Sequence, residues 1–270
     1  MKQIVLFSIF LFIVISSEAQ NAQVWNNKQC AVVLTYDDAL DVHLDNVIPL
    51  LDSLNLKGTF YIIGSSEVLQ KRLDEWRLAA KNGHELGNHT LFHPCDGSRP
   101  GRTFVTPETD LSKYTVDRAV NEILVTNTLL KAIDGKEIRS FAYPCGDTMI
   151  GDSIFYRSLV KVFPGARGVG AAMKTIDEVK LYNIDCYMIN MHSAEYMIDL
   201  VKQATQSHTL LVFLFHGVGG GHNINVALNE HSKLLHYLKD NEKDIWIAPM
   251  VEVAEHIKDY QENLNNSRSK

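Results

Sequence analysis

Two adjacent carboxylates follow an apolar run near the start of the chain. The apolar residues 30–34 indicate a buried strand, and the tetrapeptide Thr35-Tyr36-Asp37-Asp38 stands at its end. Neighbouring carboxylates beside a buried strand are costly unless a partner stabilises their charge. A bound cation is the usual partner, so Asp37 and Asp38 are typical of a metal site. The alternative interpretation is a pair of helix N-caps.

Three histidines supply the other groups that such a site needs. His89 and His93 stand four residues apart after a short strand-like segment, and His216 follows the apolar residues 210–215. One carboxylate and two imidazoles around an open coordination position form a hydrolytic metal site. The second carboxylate is then free to act as a base. The alternative for His216 is a hydrogen-bonded core histidine.

Two further residues are predicted substrate contacts. Asp147 comes just after the turn Pro144-Cys145-Gly146, and His222 lies in the glycine-rich stretch that follows His216. Asn88, directly before the first histidine of the pair, is expected to orient that loop or a ligand.

The N-terminal residues have the pattern of a targeting signal. Lys2, the apolar residues 4–15 and the small residues near position 19 match a signal peptide over residues 1–19. The apolar run is shorter than the ~20 residues that a membrane-spanning helix needs. We therefore expect an exported protein that is periplasmic, at the cell surface or secreted, without stable membrane insertion. An uncleaved anchor is the alternative.

The mature chain is large enough for one substantial domain and carries a negative net charge. Residues 20–264 are predicted to form a single catalytic domain, with a polar C-terminal tail over residues 265–270. The formal net charge of -6 argues against nucleic acid or an anionic membrane as partner. Neutral sugars stay open as ligands.

Four cysteines in an exported chain permit two disulfides, with three possible pairings. Cys95 follows the histidine pair and Cys145 lies in the Pro-Cys-Gly turn, so these two pair if both loops frame one site. The alternative is that all four, including Cys30 and Cys186, are buried free thiols.

Strand-like and helix-like patterns alternate along the chain, which predicts a parallel sheet with helical crossovers. The chemical side chains all fall just after strand ends, and those ends share one face in a closed barrel. The fold class is therefore α/β, a (β/α) barrel of about seven parallel strands in a single domain.

Four segments in this order resemble the polysaccharide deacetylases, the NodB-homology family or carbohydrate esterase family four. They are Thr35-Tyr36-Asp37-Asp38, His89-Thr90-Leu91-Phe92-His93, Phe141-Ala142-Tyr143-Pro144-Cys145-Gly146 and Leu214-Phe215-His216. The resemblance extends over nearly the whole mature chain. It implies a distorted barrel that removes acetyl groups from sugars with a divalent metal.

The resemblance also implies a role for each matching residue. Asp38, His89 and His93 bind the metal, Asp37 is the general base and His216 is the general acid. The backbone N–H of Cys145 contributes to the oxyanion site. Zn²⁺ suits this ligand set, with Co²⁺ or Ni²⁺ as alternatives, and the partner is an acetylated carbohydrate.

The chain departs from the family pattern in two places. Ala142 stands where the family often has an arginine that steadies the catalytic aspartate, so Asp37 is expected to lack one stabiliser unless Arg139 replaces it. The family's acidic partner of the catalytic histidine has no clear counterpart, and Asp185 is a weak candidate. Two other functions therefore stay open: a sugar-binding barrel that lost catalysis, and a metal-dependent amidase acting on a small non-sugar amide.

Overall fold

The computed structural model describes residues 24–268 and shows the predicted parallel sheet. The sheet contains eight strands: β1 (Cys30–Asp37), β2 (Thr59–Ile62), β3 (Glu85–Asn88), β4 (Phe141–Ala142), β5 (Ala166–Arg167), β6 (Tyr187–Met188), β7 (Leu210–Phe215) and β8 (Ile245–Ile247). Seven of them follow the order β5-β4-β3-β2-β1-β7-β6, and β8 pairs with the beginning of β1. The predicted signal peptide over residues 1–19 lies outside the described residues.

The sheet curls until its two edges meet in one segment. On one side, Tyr187 pairs with Phe213 of β7, and on the other, Ile184 bridges Arg167 of β5. Residues 184–188 therefore join both edges of the sheet. This arrangement confirms the predicted distorted barrel in a single domain.

Helices pack on the outer face of the sheet and across one end of its interior. They are α1 (Ile48–Ser53), α2 (Glu67–Lys71), α3 (Leu73–Lys81), α4 (Val116–Asp134), α5 (Ala194–Ser207), α6 (Leu228–Asp240) and α7 (Met250–Arg268). A π-helical turn, His43–Val47, runs directly into α1. None of the helices in the described range is both long and apolar enough to cross a membrane.

The C-terminal helix is longer than the sequence predicts. The polar residues 265–270 are expected to form a tail, but α7 continues through Arg268. Asn and Ser at these positions resemble loop composition, yet an exposed helix end tolerates polar side chains. Within the described residues, the predicted tail is thus the exposed, helical end of α7.

Alternation along the two central strands decides which residues reach the interior. On β1, Tyr36 belongs to the apolar cluster under the outer helices, whereas Val33 packs in a second cluster that also contains residues of α7. Tyr36 lies opposite Phe215 of β7 in the parallel register. The next residues along these strands, Asp37 and His216, therefore follow the paired aromatic residues at the carboxyl end of the barrel.

Candidate metal and catalytic site

The Asp38 carboxylate lies between the two histidines of the predicted pair. Its Oδ1 atom is 3.5 Å from His89 Nε2 and 3.6 Å from His93 Nε2. The backbone of Asp38 is in the left-handed region, with φ of 81°, and its N–H donates to the carbonyl of Tyr61 on β2. A non-glycine residue in this region is uncommon and concentrates at functional sites.

The donor set of this triad fits a divalent cation. One ligand atom from each of Asp38, His89 and His93 lies within 4.8 Å of the others. Ligand atoms around a tetrahedral zinc ion stand about 3.3 Å apart, since Zn–N bonds measure about 2.05 Å. Asp38 Oδ1 is buried and has no hydrogen-bond partner in the described part of the chain. An unpaired buried carboxylate oxygen facing two imidazoles is what a bound cation would satisfy.

Side-chain hydrogen bonds shape the loop that carries both histidines. Asn88 Oδ1 accepts from the Thr90 N–H at 2.8 Å, and Thr90 Oγ1 accepts from the His93 N–H at 2.9 Å. His89 Nδ1 donates to the Ala142 carbonyl at 2.9 Å, which leaves Nε2 free for a metal. Asn88 thus orients the loop, as the sequence predicts.

Burial keeps the two candidate histidine ligands neutral. It lowers the pKa of His89 to about 3 and also lowers the pKa of His93. Burial, followed by the negative charge of Asp37, raises the pKa of Asp38 to about 6. Neutral imidazoles are the metal-binding form, and a cation would stabilise the Asp38 carboxylate against its negative neighbour.

The Asp37 carboxylate is buried and pairs with Arg167 of β5. The Arg167 guanidinium, which is fully buried, donates to Asp37 Oδ2. Burial opposes the ionisation of Asp37, but the charge of Arg167, reinforced by His89 and His216, outweighs it and lowers the pKa of Asp37. The carboxylate is therefore ionised at neutral pH, which is the form a general base requires.

The expectation that Asp37 has lost its arginine is wrong. Ala142 of β4 pairs with Arg167 of β5 in the parallel register, so the arginine comes from the neighbouring strand at the same level. Arg139 does not replace it, because its guanidinium pairs with Asp134 at 3.1 Å. Sequence analysis missed Arg167. A cation within the short segment Gly165-Ala166-Arg167-Gly168 is the signal that could have identified it.

His216 faces the same carboxylates from the end of β7. Its Nε2 atom lies 3.9 Å from Asp38 Oδ2, and burial lowers its pKa despite the nearby negative charges of Asp37 and Asp38. The other ring nitrogen, Nδ1, is buried and has no hydrogen-bond partner within residues 24–268. Asp185 is therefore not its partner, because the Asp185 carboxylate lies against Gly170 instead.

The predicted substrate contact His222 stacks on His216. The two ring centroids are 4.8 Å apart with an interplanar angle of 17°. His222 is exposed and its Nδ1 accepts from the Ile224 N–H at 3.0 Å. An exposed ring on the face of His216 lies where a substrate would approach.

A disulfide joins Cys95 to Cys145, as one of the two predicted alternatives expects. The two Cα atoms are 5.8 Å apart, and Cys30 and Cys186 are buried and free. The bond connects the histidine loop to the turn that carries the predicted oxyanion donor. Cys145 has a left-handed backbone, with φ of 55°. The orientation of its peptide is therefore set within a cross-linked turn.

The predicted substrate contact Asp147 is wrong. Its side chain is 1% exposed, and its carboxylate pairs with Arg102 and with Arg99. The same carboxylate accepts from the backbone N–H of Asp96 at 2.8 Å. These partners belong to the long loop after the histidine pair, so Asp147 anchors that loop and offers no free oxygen to a substrate.

Comparisons with known proteins find relatives in sequence and in fold. The family model described as polysaccharide deacetylase matches residues 26–155. The chain is 28% identical over 119 residues to the peptidoglycan-N-acetylglucosamine deacetylase of Bacillus cereus and 26% identical over 137 residues to the uncharacterized protein YlxY of Bacillus subtilis. These segments cover 44% and 51% of this chain but only 37% and 35% of the two relatives.

The fold also matches a solved structure over nearly its whole length. A protein of Mycobacterium smegmatis assigned as a polysaccharide deacetylase superposes with a TM-score of 0.61 at 13% sequence identity. The match covers 87% of this chain and 92% of that chain. The chain therefore shares the barrel of these proteins, whereas it spans about a third of the length of the curated relatives it matches.

Proposed function

Because residues 26–155 match the polysaccharide deacetylase family model, we propose that the protein is a metal-dependent hydrolase that removes acetyl groups from a carbohydrate. One observation carries this proposal: a cation-sized set of ligands, Asp38, His89 and His93, lies beside an ionised carboxylate and a further histidine. The intact base and acid argue against a pure sugar-binding barrel, which needs neither.

Asp38, His89 and His93 would hold the metal. Two imidazoles and one carboxylate suit Zn²⁺, and Co²⁺ or Ni²⁺ are also compatible with this set. When bound, the ion supplies Lewis acidity for the acetyl carbonyl and for the attacking water. Disruption of this ligand set is therefore expected to abolish hydrolysis.

Different residues of the chain accept and donate protons in the reaction. Asp37, held ionised by Arg167, accepts a proton from the water as it attacks the acetyl carbon. The backbone N–H of Cys145 donates to the oxygen on which negative charge develops. His216, in its protonated form, gives a proton to the departing sugar nitrogen or oxygen. His222, exposed against His216, contacts the bound sugar.

The substrate is an acetylated oligo- or polysaccharide, and the protein acts outside the cytoplasm. The Bacillus cereus relative named as a peptidoglycan-N-acetylglucosamine deacetylase supports an N-acetylated glucosamine unit. The signal-peptide pattern of residues 1–19 and the disulfide support export, since disulfides persist in oxidising compartments.

A substrate panel with purified protein and defined metals tests the proposal. We expect acetate release from acetylated glucosamine oligomers, dependent on an added divalent ion. Release from acetylated xylan instead would assign an O-deacetylase. Hydrolysis confined to small non-sugar amides, or no hydrolysis with sugar binding retained, would overturn the carbohydrate deacetylase assignment.

A further inference from the structure

Within residues 24–268, His216 has no side-chain partner of the kind that usually orients a catalytic imidazole. Catalytic and metal-binding histidines are commonly fixed by a hydrogen bond from the second ring nitrogen. In His216 that atom, Nδ1, is buried without a hydrogen-bond partner among the described residues. The position of the ring must therefore depend on its backbone and on ring packing.

The buried His43 holds that backbone. Its Nε2 atom lies 2.8 Å from the His216 carbonyl, and its Nδ1 atom accepts the Leu40 N–H at 3.2 Å. A backbone N–H only donates, so Nδ1 is the acceptor and Nε2 carries the proton that goes to the His216 carbonyl. Burial lowers the pKa of His43 to about 4, and the ring is thus neutral at pH 7.

A second side chain on the same helical turn also donates to a backbone carbonyl near His216. Asn46, three residues after His43, donates from Nδ2 to the Val218 carbonyl at 2.8 Å. Residues three apart on a helical turn share one face. The turn His43–Val47 therefore holds two alternate carbonyls of the segment that begins with His216.

The His43 ring also binds the segment that follows Asp38. Leu40, whose N–H binds His43, is two residues after Asp38, and Asp38 and Ala39 both have positive φ. Behind His43 lie Tyr36 and Phe60, with ring centroids 5.7 Å and 5.8 Å away. Aromatic packing thus restricts the ring in the orientation that joins the two loops.

We propose that His43, assisted by Asn46, is a positioning residue that fixes His216 relative to the metal ligand Asp38. This inference rests on the proposed deacetylase function. It assigns to His43 no contact with substrate. His43 fixes the position and orientation of the His216 ring at the end of β7.

Two substitutions separate the two hydrogen bonds of His43. His43→Gln retains a donor near the position of Nε2, whereas His43→Asn retains only an acceptor near the position of Nδ1. A misplaced catalytic group costs up to about 100-fold in rate. We expect His43→Asn to lower kcat on the order of 10-fold or more, with KM and bound metal unchanged, and His43→Gln to recover most of that loss.

His84 provides a matched control far from the predicted ligands. It is also fully buried, its Nδ1 accepts the Gly58 N–H at 3.1 Å, and its Nε2 faces Asp52 at 3.2 Å. His84→Asn should lower the melting temperature without lowering kcat. Asn46→Ala, at a half-buried position, supplies a milder variant with a smaller fall in kcat if His43→Asn does not fold.

The outcomes distinguish this inference from the function on which it rests. An active wild type with equal kcat losses in His43→Asn and His84→Asn, or with no loss in His43→Asn or Asn46→Ala, would contradict the positioning role alone. A wild type without deacetylase activity on any acetylated sugar would contradict both. The predicted pattern is a kcat loss confined to His43→Asn and Asn46→Ala.

Discussion

Arg167 donates to the buried carboxylate of Asp37 from a strand that pairs beside Ala142. The two residues are 130 positions apart in sequence, and both are almost completely buried. The arginine that the resemblance leads one to expect at position 142 thus has a counterpart on the neighbouring strand. The negative charge of Asp37 is therefore still stabilised by an arginine, but that arginine lies on β5 and not on β4.

Removal of this arginine should shift the pH dependence of activity. In Arg167→Met the burial of Asp37 remains while the nearby positive charge is lost, so the pKa of Asp37 rises. Below its pKa, Asp37 is protonated and cannot accept a proton. The acidic limb of kcat/KM should therefore move to higher pH.

Ala142→Arg tests whether the two positions are equivalent. Alone, it adds a second cation to a carboxylate that is already paired, and the acidic limb should stay at the wild-type pH. Combined with Arg167→Met, it should move the limb back toward lower pH. Identical profiles for wild type and Arg167→Met, measured with the same metal and substrate, would show that another group sets the charge of Asp37.

Metal content should follow the three predicted ligands. We expect one divalent ion per chain in the wild type and none in a His89→Ala, His93→Ala double variant, measured by elemental analysis. His222→Ala is the matched control, since that exposed histidine is not among the predicted ligands and should leave metal content unchanged. Full occupancy in the double variant would place the ion elsewhere.

The two adjacent aspartates should separate into a base and a ligand. Asp37→Asn should retain the metal and lose about 10²–10⁴-fold in kcat, the usual contribution of a general base. Asp38→Asn should lose metal together with activity. Equal metal content and equal activity in both variants would reject this division of roles.

The disulfide should contribute to both stability and turnover. Denatured, unreduced protein matured in an oxidising compartment should show two reactive thiols, Cys30 and Cys186, and four after reduction. A Cys95→Ser, Cys145→Ser variant should lose about 2–4 kcal/mol of unfolding free energy. Its kcat should also fall, because the bond fixes the turn of the oxyanion donor. Cys30→Ser is the control that leaves the cross-link intact.

Asp147 should behave as a loop anchor and not as a substrate contact. Asp147→Asn leaves the partly exposed Arg102 with a weaker partner, and loss of a hydrogen bond to a charged group costs about 1.5–3 kcal/mol. We expect a lower melting temperature with little change in KM. A large rise in KM at unchanged stability would restore the role in substrate binding that the sequence suggests.

The sequence predicts the metal ligands and the barrel because these depend on local patterns. Asp38, His89 and His93 each follow a strand, and the ends of parallel strands meet on one face. Arg167 has no such pattern: β5 contains two residues, and its partner is distant in sequence. The burial of Asp147 is likewise not predictable, because its partners, Arg99 and Arg102, lie in an irregular loop whose path no periodicity reveals.

Acetate release from an acetylated glucosamine oligomer tests the central claim most directly. The wild type should release acetate when loaded with Zn²⁺ and stop after chelation, whereas Zn²⁺-loaded Asp37→Asn should bind the ion and release about 10²–10⁴-fold less per unit time. Equal release by the wild type before and after complete removal of the metal, or equal release by Asp37→Asn and the wild type, would contradict the account.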